Sequence, residues 1–84
     1  MITKKTIQKQ IEELEDYVLG YREQITHICD AAKERGFLVY TNGDYSAIYY
    51  KDYTQASIIT NDLERLHGRI IGLQMAIDQL KNLL

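Results

Sequence analysis

Two histidines, one cysteine and a run of closely spaced tyrosines are the side chains of this 84-residue chain that could carry chemistry. His27 has Glu23 four residues before it and Asp30 three after it, a spacing that on a helix lets a carboxylate orient an imidazole. His67 follows Glu64 by three. Neither histidine belongs to a His-x-x-x-His or His-x-x-Glu-His pattern, and one cysteine with scattered carboxylates falls short of a zinc set. As a nucleophile Cys29 needs a base, but His27 lies two residues away and on a helix points to a different face, so Cys29 reads as a small buried residue. No serine stands in an elbow motif, and Gly20, Gly36, Gly43, Gly68 and Gly72 make no phosphate-cradling loop. The expectation is a protein with no enzymatic activity, no metal and no cofactor.

Tyrosine is the anomaly. Seven of the eight aromatic residues are Tyr, and five of those, Tyr40, Tyr45, Tyr49, Tyr50 and Tyr53, fall within fourteen positions. Tyr combines an apolar body with a polar end, loses few rotamers on ordering and concentrates at recognition surfaces. Strands also favour Tyr for its own sake. These five are the candidate partner- or ligand-binding residues.

The elements that position them follow from periodicity. Ile7, Ile11, Leu14, Val18, Tyr21, Ile25, Ile28 and Ala32 alternate by four and three, a heptad seam that predicts a helix over about 3–35. Thr3 or Thr6 can cap its start, and Gly36 after Lys33 and Arg35 marks its end. Phe37 to Thr41 is β-branched and aromatic, Asn42-Gly43 follows, and a second such run extends to Tyr50, predicting a hairpin over about 37–50. A two-residue Asn-Gly loop sets Tyr40 opposite Tyr45 and Leu38 opposite Ala47. Ala56, Ile59, Leu63, Leu66, Ile70, Leu73, Ile77, Leu80 and Leu84 form a second seam, predicting a helix over about 54–84 with Asp52 or Thr54 as its cap. At ~1.5 Å per residue the seams run roughly 38 and 42 Å, which predicts two antiparallel helices zipped together with the hairpin at one tip. The fold class expected is mainly α, α-β-β-α, in one domain over 1–84.

One feature exceeds a two-helix picture. Gly68, Gly72 and Ala76 stand four apart beside Ile71 and Met75, on the side of the second helix away from its seam. Each interior glycine costs about 1 kcal/mol relative to alanine, and small residues at this spacing let another backbone approach. Gly68, Ile71, Gly72, Met75 and Ala76 are therefore the expected oligomer interface, with a dimer forming a four-helix bundle the simplest closed assembly.

Ten basic residues against twelve acidic ones, a net charge of −2 and a pI near 5.6 offer phosphate backbones no general attraction, so duplex nucleic acid is not an expected partner. The acidic group Glu12, Glu13, Glu15 and Asp16 reads as a solvated helix face. No apolar run approaches the roughly 18 residues of a membrane span. Met1-Ile2-Thr3-Lys4-Lys5 passes straight into polar residues, and the expected location is cytoplasmic.

The order of heptad helix, β-hairpin and heptad helix resembles the prefoldin β-subunit layout over the whole chain, which implies a structural or chaperone-like assembly; the likeness lies in the order of elements, and no residue is carried over from it. In size, tyrosine content and lack of catalytic motifs the chain is also similar to the small accessory proteins of phages and mobile elements, which implies inhibition of a host protein or sequestration of a signalling molecule. The reading that leads is a homo-oligomeric, non-enzymatic protein that binds a host protein through its tyrosines. The alternative is a sponge for a small nucleotide-type molecule, in which Tyr rings stack on a base and Arg35, Arg65 or Arg69 pairs with phosphate.

Overall fold

The computed structural model describes residues 3–84. Two helices, α1 (Lys4–Glu34) and α2 (Ser57–Lys81), are joined by the antiparallel strands β1 (Leu38–Asn42) and β2 (Tyr45–Tyr49). The molecule is a rod with principal extents of 57 × 17 × 17 Å.

Local chemistry sets the ends of α1. The Thr3 side chain accepts the Thr6 N–H at 3.2 Å, satisfying one of the first-turn donors. At the other end Gly36 takes a φ of +89°, and its N–H reaches the Lys33 carbonyl while that of Phe37 reaches Ala32, both at 3.0 Å. This pair of bonds is a Schellman closure, and it turns the chain directly into β1.

The seams pack as their spacing requires. Ile7, Ile11, Val18, Ile25 and Ala32 are buried against Leu63, Leu66, Ile70 and Ile77, with Leu14, Tyr21, Ile28, Ile59, Leu73 and Leu80 half-buried along the margins. Leu84, the last position of the second seam, lies past the end of α2 and is exposed.

Three expectations need correction. First, α2 starts at Ser57 and ends at Lys81, inside the expected 54–84. Its N-cap position is Ala56, which has no side-chain cap, because Asp52 instead accepts the Thr54 N–H at 3.0 Å and closes a turn before the helix. Second, the hairpin loop is Gly43-Asp44, so Asn42 faces Tyr45, Tyr40 faces Ala47 and Leu38 faces Tyr49. Gly43 alone has a positive φ, at +62°, which is the pattern of a type II′ turn with Gly first, in place of a type I′ turn on Asn-Gly. A tertiary contact favours this choice: Arg22 on α1 grips Asp44 with both nitrogens, Nε to Oδ1 at 2.9 Å and Nη2 to Oδ2 at 3.1 Å. Third, the hairpin does not project as a tip. Its turn doubles back to Arg22, about 14 residues or ~21 Å up α1 from Gly36, so the sheet lies along both helices. The true end of the rod is the α1 terminus together with the loop from β2 to α2.

β2 is the better buried strand. Ser46, Ala47 and Ile48 are all below 4% exposed. Ile25 and Cys29 of α1 lie on the side of Ser46, while α2 meets Tyr45 through His67 and the outer edge through Thr60. At that edge the Thr60 hydroxyl accepts the Ile48 N–H at 3.0 Å and donates to the Ile48 carbonyl at 3.2 Å, while the Ala56 N–H reaches the same carbonyl at 2.9 Å. A helix residue thus takes the place of a third strand.

Candidate functional site

The five tyrosines from the hairpin region do not form one cluster. Tyr45 is half-buried, its ring edge-on to His67 with centroids 5.9 Å apart. Tyr49 is half-buried opposite Leu38 and bridges to Gln55. Tyr40 stands on the outer strand at 54% exposure. Only Tyr50 and Tyr53 lie together at the end of the rod. There Tyr50 leans on Phe37, centroids 5.3 Å apart at 45°, and a shallow pocket opens among Arg35, Gly36, Phe37, Tyr50 and Lys51.

Backbone geometry makes this end unusual. The Tyr53 N–H closes on the Tyr50 carbonyl at 2.9 Å, and the Tyr50 N–H on the Thr54 carbonyl at 2.8 Å, so Lys51-Asp52-Tyr53 is a three-residue loop. Loops of this kind place their last residue in the left-handed region, normally glycine. Here Tyr53 occupies it with a φ of +68° and is 80% exposed, the only non-glycine residue with positive φ among those described. The conformation is unfavourable by roughly 1 kcal/mol for a bulky residue, and the exposed ring recovers little of this by packing. Beside it the Thr54 N–H holds the Asp52 carboxyl below the usual carboxylate range.

The small-residue face also lies open. Ile71 and Met75 are 47% and 60% exposed, Gly68 and Gly72 are exposed, and Ala76 is half-buried. A Cβ added at Gly68 or Gly72 would meet nothing within 4 Å. Gly72 also helps line an open, mostly apolar groove of about 480 Å³ with Leu14, Tyr17, Tyr21, Arg69 and Leu73. In it the Arg69 guanidinium sits 5.6 Å above the Tyr21 ring. Sequence reasoning placed Tyr21 in the seam and did not single out Tyr17. The signal was present, since Leu14, Tyr17 and Tyr21 share a helix side at spacings of three and four.

Under the hairpin, a cavity of about 310 Å³ is bounded by Ile25 and Cys29 on α1 and by Thr41 and Ser46 on the strands, with Asp30 and Lys33 at its rim. Its far wall is the Arg22–Asp44 pair, and the hydrogen bond to Asp44 raises the Arg22 guanidinium above its already high value. Cys29 is buried, as its place beside the seam suggested. His67 has a buried Nδ1 with no hydrogen-bond partner and its ring against Tyr45, while His27 is exposed on the outside of α1. Among the described residues no three His, Cys, Asp or Glu side chains converge as a metal would need, and no helix is long and apolar enough to cross a membrane.

The mainly helical α-β-β-α hairpin is the class that these elements define. Comparison with protein-family models, with curated proteins and with solved structures gives no match for the chain.

Proposed function

We propose that this is a non-enzymatic, self-associating binding protein that docks on a host protein through the aromatic end of its rod and modulates that protein, as the small accessory proteins of phages and mobile elements do. The observation that carries the reading is Tyr53, a large ring held almost fully in solvent by an unfavourable backbone conformation. At the same end of the rod, Tyr50 and Phe37 add apolar area and Arg35 and Lys51 two cations around a shallow pocket, and Tyr and Arg are enriched at binding hot spots. Self-association draws on shape. A compact chain of this size has a radius of gyration of about 12 Å and about 5,200 Å² of accessible surface, against 16.3 Å and 6210 Å² here. The excess is on the order of 1,000 Å², comparable to one side of a standard interface.

The test uses Tyr53→Gly, which relieves the backbone and should raise stability by about 1 kcal/mol while removing the ring. A partner captured by the wild type and lost by this more stable variant supports the reading. Equal capture by both overturns it, because the loss of a ring at the docking end must be felt.

A second reading is favoured by the Arg69–Tyr21 stack. The groove beside Gly72 offers an aromatic ring and a cation to a small nucleotide-type molecule. Protein purified gently at low salt would then carry absorbance at 260 nm beyond its tyrosine spectrum, and Arg69→Ala would lose it.

A further inference from the structure

The two edges of the hairpin are finished differently. On the β2 edge, both outward groups of Ile48 are engaged by Thr60 and Ala56. On the β1 edge, the alternation set by a two-residue loop turns the N–H and C=O of Val39 and Thr41 outward. Among the described residues no hydrogen bond reaches these four groups. Nor does β1 carry the features that normally blunt a free edge: Leu38-Val39-Tyr40-Thr41-Asn42 has no charge, no proline and no bulge, and its register runs unbroken over five pairs.

We propose that this edge pairs with the same edge of a second copy, antiparallel about a two-fold axis at Tyr40, joining two hairpins into one four-stranded sheet. This rests on the self-association proposed above and names the surface that performs it. The strand is self-complementary in this register. Val39 of one copy stands opposite Thr41 of the other, their four outward groups on each side form mutual hydrogen bonds, and Tyr40 meets Tyr40 across the axis. Leu38 and Tyr40, 39% and 54% exposed in the single chain, gain apolar neighbours on the same face.

Area favours a second copy, because the surface excess of this rod is close to what each partner of a stable dimer buries. No like charges meet in the antiparallel orientation: Arg35 of each copy comes to the end where the other copy's Asp44 stands, itself held by Arg22. Tyr40 then belongs to self-association, leaving Tyr50 and Tyr53 for the target.

The experiment is native mass spectrometry of the full chain across a concentration series, for the wild type, Thr41→Pro, Tyr40→Lys and Gly72→Leu. Thr41→Pro removes an N–H that the hairpin itself does not use, and Tyr40→Lys sets two cations face to face on the axis at an exposed position. The expected result is a wild-type dimer. Symmetry removes two hydrogen bonds in Thr41→Pro, so its dimerisation should weaken roughly thirtyfold with the helical spectrum intact. Tyr40→Lys should be monomeric throughout the series, and Gly72→Leu dimeric. A dimer that survives Tyr40→Lys and is lost in Gly72→Leu overturns the edge pairing and leaves self-association standing on the α2 face. A monomeric wild type overturns both. Should Thr41→Pro fail to fold, disulfide formation decides: Tyr40→Cys must oxidise to a covalent dimer faster than the more exposed Tyr53→Cys, and equal rates sink the proposal.

Discussion

Thr60 and Ile71 lie three turns apart on nearly the same line of α2, yet the hydroxyl residue is 1% exposed and the isoleucine 47%. The difference separates two halves of the rod. In one, α1 beyond Arg22 and α2 before Gly68 are roofed by the hairpin, so even β2 is buried on both faces. In the other, two helices touch only each other, and Tyr17, Leu19, Ile71 and Met75 stand out in solvent. Hydrophobicity does not decide which side chains are buried here. The reach of the hairpin does, and wherever it stops the same helices offer apolar surface for something else to cover.

That contrast can be broken most severely in the roofed half. Leu66→Asp places an unpaired carboxylate between the seams, a change of several kcal/mol that should abolish the cooperative melt followed by circular dichroism. A melt near that of the wild type would mean that the seam is not a core. A sharper comparison sets Thr60→Val against Ile71→Thr. The first leaves the Ile48 N–H buried without a partner and should cost about 1–3 kcal/mol. The second exchanges one exposed side chain for another and should stay within about 0.5 kcal/mol in chemical denaturation. Equal effects would remove the distinction between the halves. The smallest change is expected for Arg22→Ala, which unties Asp44 from α1. Both side chains are partly in water, so the loss is at most about 1 kcal/mol and should shrink in high salt. Its signature is local: faster amide exchange across β1 and the Gly43-Asp44 turn, with the helix ends unaffected.

The helices were legible from the sequence because their information is periodic and local. Ile7 to Ala32 and Ala56 to Leu80 announce both seams and their antiparallel pairing, and Gly36 announces the stop. What escaped depended on partners distant in the chain. Nothing near Asn42-Gly43 says that Arg22, twenty-two residues before Asp44, will hold the loop one residue further on. Thr60 looks like an ordinary polar helix residue until β2 is laid against it. Tyr53 was recognised as one of five tyrosines, but its left-handed backbone appears only once the Tyr50–Thr54 loop closes. The open face at Gly68, Ile71, Gly72 and Met75 was readable in outline, since side chains that miss the seam have only solvent or another molecule to face.

The antiparallel return of α2 along α1 also orders events in time. Core residues nearest the connection, Ala32 and Ala56, are 24 positions apart in the chain, whereas Ile7 and Ile77 near the open end are 70 apart. Closing the longer loop directly is disfavoured by about 1 kcal/mol more, so contacts form sooner beside the hairpin and advance outward as a zipper. Reversed, the same gradient makes the free ends of the helices the first to separate, and protection from native-state hydrogen exchange should climb in steps from Ile7 towards Ile25.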